Sequence, residues 1–193
     1  MTTNPIEMSG DLSGKLLIAM PGMGDLRFEQ SVIFMCAHSA EGAMGLIINK
    51  PAQDVTLGDV LGQLDIKVSQ EVQRLQVHIG GPVETTRGFV LHTQDFQSDL
   101  QTLNVDADFA MTGTLDVLEG IGTATGPSRS QLMLGYAGWG AGQLENEIRH
   151  NGWLICDPSV ELVFDTDDTQ KWSQALDSIG VSPLTLSTTA GRA

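Results

Sequence analysis

The side chains whose types could form a catalytic site in this sequence are Asp25, Arg27, His78 and Glu145. Carboxylates and imidazoles transfer protons in hydrolytic reactions, and an arginine binds anionic groups. Asp25 and Arg27 are two residues apart, but His78 and Glu145 are distant from them and from each other, so only folding could gather all four around one cleft. A hydrolase-like enzyme with such a cleft is therefore one hypothesis for the function.

Other catalytic and metal-binding patterns are absent from the sequence. Ser31 lies in FEQSVIF, which is not the G-x-S-x-G turn of a serine hydrolase. The four histidines have no H-x-H or H-x-x-x-H spacing, and no cysteine pair accompanies them. The sequence thus predicts no metal site and no cofactor, and it leaves the catalytic residues unknown.

The residues with the strongest backbone signal are the glycines of LGYAGWGAGQLENEIRHNGWL, which follow an apolar strand-like run. Residues 135–142 are predicted to be a loop that leads into a short helix. The loop lacks the lysine of a P-loop and the spacing of a dinucleotide fold. Its glycines either permit close packing against a sheet or present Tyr136, Trp139 and Gly140 to a ligand or partner.

Three of the few cations stand at turns, namely Arg27, Lys50 and Arg87. They could neutralise nearby carboxylates, or they could converge with the 135–142 loop on one pocket. Glu145 and Arg149 are spaced as an i,i+4 ion pair on the short helix. The three cations at turns form the predicted ligand or partner site together with Asp25, Tyr136, Trp139, Gly140 and Glu145.

Composition limits the class of protein. The chain has 193 residues, 41% of them hydrophobic, and a net charge of −14. We expect one domain over residues 1–193, with a leader at 1–11 and a tail at 180–193 loosely ordered. The charge repels phosphate backbones and anionic lipids, so neither nucleic acid nor a membrane is an expected partner.

The cysteines and the N-terminus indicate the compartment. Cys36 and Cys156 lie in apolar runs, which favours buried thiols, although spacing alone leaves a disulfide open. The N-terminus has no basic or apolar stretch of the signal-peptide kind. We therefore expect a cytoplasmic protein.

Hydrophobic periodicity predicts a mixture of strands and helices. The mixture does not alternate as regular βαβ units, which favours an α+β fold with a mixed sheet. Thr56 and Asp59 resemble a capping box at the start of one helix. The predicted helices cover residues 56–64, 115–121 and 169–179, with a short one after 142; the predicted strands cover residues 15–20, 31–37, 45–49, 77–79, 89–92, 109–112, 131–136 and 153–156.

Four segments carry a family resemblance: GKLLIAMPGMGDLRFEQSVIF, GAMGLIINKP, HIGGPVETTRGFVLH and the glycine-rich segment. In this order they resemble the AlgH/YqgE family of bacterial proteins, from about residue 12 to residue 179. The resemblance implies a bifurcated mixed sheet, part of it barrel-like, with helices around it. It supplies no reaction and no catalytic residues.

One member of that family is labelled a transcriptional regulator, which keeps direct DNA binding as a further hypothesis. The residues favour a non-catalytic binding or regulatory protein that acts through a protein partner or small ligand. Any influence on transcription would then be indirect. The hydrolase-like enzyme stays open as the alternative.

Overall fold

The computed structural model describes residues 10–186, and the outer parts of the predicted leader and tail, residues 1–9 and 187–193, lie outside that range. The described chain forms ten strands and five α-helices. The helices are α1 (Leu57–Gln63), α2 (Gln70–Gln73), α3 (Leu115–Thr123), α4 (Gln143–Arg149) and α5 (Asp168–Ser178). The strands are β1 (Leu16–Ala19), β2 (Val32–Ser39), β3 (Gly42–Ile47), β4 (Pro51–Thr56), β5 (Gln76–Ile79), β6 (Val83–Thr93), β7 (Leu103–Asn104), β8 (Phe109–Thr112), β9 (Ser130–Gly140) and β10 (Trp153–Cys156).

The sheet is curled, mixed and bifurcated, as predicted. Its main order is β10-β1-β2-β3-β9-β6-β8-β7, and β4 and β5 branch from β9. The end of β9 pairs with β3 in antiparallel fashion, whereas Met133 and Leu134 pair with β5 in parallel fashion. The sheet therefore divides along one strand, and the α+β fold class is confirmed.

Glycines occupy the point where the sheet divides. Gly135 has φ +73°, and a Cβ added there would lie 2.5 Å from the carbonyl oxygen of Gly81. A Cβ at Gly81 would lie 2.0 Å from the carbonyl carbon of Tyr136. The two backbones approach so closely that no larger residue fits. Close packing is thus the structural role of Gly135 and of the GGP turn.

Both faces of the first strands are buried. Leu16 and Ile18 belong to the core under α5, while Leu17 and Ala19 belong to a second core on the other face, which Leu144 of α4 completes. Burial on both sides explains why β1 reads as a continuous apolar run instead of an alternating one. A third core packs α1 and α3 against β6 and β9.

Most predicted elements are confirmed, including the capping box of Thr56 and Asp59 at the start of α1. Two predictions are wrong. Residues 135–140 belong to β9 instead of a loop, and residues 65–76, whose polar sequence predicts an exposed connection, contain α2. β4 was not predicted because Gln53 and Asp54 make it polar. None of the described helices has the length and apolar character needed to cross a membrane.

The two cysteines are free and buried, as their apolar contexts predict. Burial raises the pKa of the Cys36 thiol to about 12. Burial also raises the pKa of the Cys156 thiol, although a hydrogen bond with Ser178 opposes the change. Both thiols are therefore protonated at neutral pH and serve as packing groups.

Candidate functional site

An open cleft of about 820 Å³ lies between the turn after β1, the start of β6, the end of β9 and α4. It is lined by residues of the segments 20–28, 82–83, 138–139 and 143–152. Volumes of this size are typical of ligand sites in proteins. Three of the predicted site residues, Asp25, Arg27 and Trp139, line it.

A carboxylate, Glu147, lies on the α4 wall of this cleft. Its Oε2 accepts the indole N–H of Trp139 at 2.9 Å and that of Trp153 at 2.8 Å. Its Oε1 accepts a hydrogen bond from Gln143 Nε2 at 3.1 Å. Gln143 and Glu147 share one face of α4 because they are four residues apart, and Gln143 is held in turn by the backbone N–H of Gly140. Glu147 is therefore fixed by neutral donors from three elements.

Aromatic rings surround that carboxylate. The ring centroids of Trp139 and Trp153 are 6.1 Å apart at an angle of 81°, and those of Phe28 and Trp153 are 5.7 Å apart at 75°. These edge-to-face contacts are the arrangement that aromatic quadrupoles prefer. The carboxylate of Glu147 therefore lies among aromatic rings.

At the rim, Asp25 and Arg27 bind each other. Arg27 donates to Asp25 from Nε at 3.0 Å and from Nη2 at 2.7 Å, and the Asp25 carboxylate also accepts the backbone N–H of Arg27. The side-chain hydrogen bond from Arg27 is the main cause that lowers the pKa of Asp25. The two opposite charges largely cancel.

The prediction that Tyr136 and Trp139 are both exposed rings is wrong for Trp139, although both residues line one shallow groove beside Arg87. Trp139 is only 7% exposed, and it belongs to the core that contains Trp153. Tyr136 is half-buried in the core on the opposite face and packs edge-on against Phe89 at 5.8 Å. Because successive residues of a strand point to opposite faces, residues three apart pack into different cores, Tyr136 with Phe89 and Trp139 with Trp153.

The cation that lies near Tyr136 is Arg87, not Arg27. Arg87 and Tyr136 line a shallow groove that Trp139 also borders. The Arg87 guanidinium lies 5.0 Å from the centre of the Phe89 ring there. Lys50 lines a third cavity and donates to the carbonyl oxygen of Glu29. The predicted convergence of Arg27, Lys50 and Arg87 on one pocket is therefore wrong.

The four residues of the hydrolase hypothesis are also separated. Asp25 and Arg27 line the large cleft, but His78 and Glu145 do not. Glu145 Oε1 is instead 2.6 Å from His38 Nε2, and His78 Nε2 is 2.7 Å from Asp168 Oδ2. Asp25 and Arg27 are paired with each other, whereas His78 and Glu145 have partners elsewhere, so the four form no common site.

A polar cluster of His78, Gln131, Asp168 and Lys171 lies beneath α5. Lys171 is 1% exposed and donates to Asp168 Oδ1 and to the carbonyl oxygen of Ile48, both at 2.9 Å. Burial opposes the charged form of Asp168, but hydrogen bonds from His78 and Lys171 outweigh it and lower its pKa. The other ring nitrogen of His78 is buried and has no hydrogen-bond partner within the described chain. Because His78 belongs to β5 whereas Asp168 and Lys171 belong to α5, the cluster ties the helix to the sheet.

Sequence reasoning missed Asp168 and Lys171 and did not include Glu147 in the predicted site. Lys171 lies on the face of α5 that also carries Ala175, and a buried lysine has no apolar signature. Glu147 had one usable signal, its i,i+4 spacing from Gln143. Among residues 10–186, no cluster of three His, Cys, Asp or Glu side chains has the geometry of a metal site.

Comparison with known proteins assigns the chain to a family. The AlgH-like family profile matches residues 16–184, a range that contains every residue lining the cleft. The chain belongs to the AlgH-like family. A UPF0301 protein of Ruegeria pomeroyi is 55% identical over 184 residues, covering 95% of this chain and 100% of that relative. A UPF0301 protein of Jannaschia is 53% identical, covering 97% of this chain and 98% of that relative.

Solved structures agree with this membership. The solution structure of the AlgH protein from Pseudomonas aeruginosa is 39% identical, covers 100% of both chains and superposes with a TM-score of 0.78. A crystal structure of a protein from Corynebacterium diphtheriae is 21% identical, with a TM-score of 0.72 over 98% of this chain and 95% of that one, and shows the fold alone. The AlgH-like fold therefore accounts for the whole described chain.

Proposed function

We propose that this chain is a cytoplasmic, non-catalytic binding protein that holds a segment of a partner protein in the cleft beside α4. The observation that carries the proposal is an open cleft of about 820 Å³ whose two carboxylates are already hydrogen-bonded to neighbouring side chains. Asp25 is paired with Arg27, and Glu147 with two indoles. Because these carboxylates already accept hydrogen bonds from neighbouring side chains, they are better suited to positioning a ligand than to transferring protons.

The composition of the cleft supports a protein partner. Its walls carry Met20, Met23, Phe28 and Arg27, residue types that are enriched where proteins bind one another. Leu26, beside the rim, is 81% exposed, and Val83 on the wall is 37% exposed. Methionine side chains adapt to different apolar surfaces, which suits an extended segment.

The other hypotheses have less support. The hydrolase-like enzyme needs Asp25, Arg27, His78 and Glu145 in one cleft, and two of the four have partners elsewhere. Direct DNA binding needs a basic surface, whereas the chain has a net charge of −14. We therefore place both below partner binding.

Photo-crosslinking in the native host tests the proposal. A benzophenone side chain is introduced at Val83 or at Gln143, which stand on different walls of the cleft, and as a control at Leu184, which is 97% exposed and does not line it. We expect both wall positions to capture the same protein, identified by mass spectrometry, and the control position not to capture it. Equal capture at Leu184, or none from either wall, would overturn the proposal.

A further inference from the structure

We infer that the cleft selects a partner segment that carries a lysine or arginine side chain, and that Glu147 is the carboxylate that receives it. The inference rests on the proposed function and adds the chemistry of the partner. It depends on the charge of Glu147, on the charges around it and on the walls of the cleft.

The charge of Glu147 is held but not cancelled. All three side-chain donors to the carboxylate, the two indoles and the Gln143 amide, are neutral. Among residues 10–186, no lysine, arginine or histidine nitrogen lies within 4.0 Å of it. Since Oε1 accepts one hydrogen bond from Gln143, it keeps acceptor capacity for an incoming donor. Glu147 is half-buried on the cleft wall, so a cationic side chain in the cleft can reach its carboxylate.

The other ionisable groups of the cleft do not compensate Glu147. Arg27 is bound through two nitrogens to Asp25, so this pair contributes little net charge. The ring of His150 is engaged at Nδ1 with the carbonyl oxygen of Asn146. The lining therefore carries one uncompensated negative charge. The net charge of −14 adds a long-range attraction for basic segments.

The walls suit the rest of such a side chain. Lysine and arginine bury their methylene stems against apolar surface and keep the charged end near a polar group. Met20, Met23, Phe28 and Val83 provide the apolar surface, and Trp139 forms part of the floor next to Glu147. An ammonium or guanidinium group gains a further cation–π attraction only where it lies over the face of an aromatic ring.

Titration of the ¹⁵N-labelled 193-residue chain with peptides tests the inference. The probes are three mixtures of acetylated, amidated pentapeptides with randomised apolar flanks and a central lysine, norleucine or glutamate; norleucine keeps the stem of lysine without its amine. The NMR signals of the Trp139 and Trp153 indole N–H groups report the cleft. The indole of Trp172, which donates to the carbonyl oxygen of Ala19 at 2.9 Å, is the internal reference.

We expect the lysine mixture to shift both cleft signals at a concentration at least tenfold lower than the norleucine mixture requires, with the glutamate mixture weakest. Glu147→Gln keeps an oxygen acceptor for the indoles, and it should reduce the preference for lysine to less than twofold. Glu119→Gln removes the same charge from an exposed site on α3 and should preserve the preference.

The outcomes separate the inference from the proposed function. Equal affinity for lysine and norleucine, or an unchanged preference in Glu147→Gln, would overturn the inference while leaving the cleft as a partner site. If n-butylamine alone binds as tightly as the lysine mixture, the site takes a small amine and the inference about a partner segment is wrong. A loss of preference in Glu119→Gln as well would assign the effect to net charge. Failure of the proposed function itself is read separately, from the crosslinking at Val83 and Gln143.

Discussion

The imidazole of His78 on β5 lies 2.7 Å from the carboxylate of Asp168, the first residue of α5, although the two are 90 residues apart in the chain. Lys171, one turn further along α5, binds the other carboxylate oxygen of Asp168 at 2.9 Å. Asp168 thus joins the C-terminal helix to the branch of the sheet that starts at β5, and its ion pair with Lys171 is largely buried.

Removal of the carboxylate should be strongly destabilising. In Asp168→Asn, the buried ammonium of Lys171 would keep only neutral partners, so we expect a loss of roughly 3–5 kcal/mol in the free energy of unfolding. The double variant with Lys171→Met should lose less, because no uncompensated charge is left. Urea denaturation measures both. Lys15→Met, which removes an exposed pair with Asp157, should cost at most about 1 kcal/mol. A double variant less stable than Asp168→Asn would contradict this account.

The same contact predicts a pH dependence. The pKa of Asp168 is lowered in the folded protein, so its carboxylate stabilises the fold above the pKa of an unfolded aspartate, about 3.9. That contribution is lost as the pH falls through the lower pKa of the folded state. The free energy of unfolding of the wild type should fall more steeply below about pH 4 than that of Asp168→Asn. Parallel curves would show that Asp168 is not responsible, and Asp157→Asn is the exposed control.

Gly135→Ala should destabilise the branch point of the sheet. The residue has φ +73°, and its Cβ would lie 2.5 Å from the carbonyl oxygen of Gly81, a backbone atom of the tight turn between β5 and β6. We expect a loss of at least about 2 kcal/mol, since strain and displacement add. Gly62→Ala in α1, where a Cβ meets nothing within 4 Å, should raise stability by about 0.5–1 kcal/mol. Thermal unfolding of the two variants should therefore move in opposite directions.

The thiols should be unreactive in the folded protein. Cys36 is 2% exposed and its pKa is raised to about 12, while Cys156 is 4% exposed with a raised pKa. Ellman's reagent at pH 8 should detect almost no thiol per chain in buffer and two in urea. Rapid reaction of one thiol in buffer would contradict the burial of that cysteine. Cys36→Ser and Cys156→Ser would identify which one reacts.

Local patterns in the sequence predicted those features that neighbouring residues decide. The apolar run of β1 has no polar position because both of its faces are buried, and the capping box at Thr56 needs only residues three apart. The acidic charge and the family motifs are likewise properties of the sequence itself. The α+β class followed from the order of the elements.

Contacts between distant segments were decided by the tertiary structure alone. The sequence placed Tyr136 and Trp139 near each other. Only the structure shows that both belong to β9, where Tyr136 pairs with β6 and Trp139 with β3, and that their rings enter different cores. Glu147 meets Trp139 and Trp153 because α4 lies against both β9 and β10. His78 meets Asp168 because α5 packs over the sheet. The sequence by itself determined most of the elements, the family and the sign of the charge. The tertiary structure decided which polar groups meet, because their partners come from strands and helices far apart in the chain.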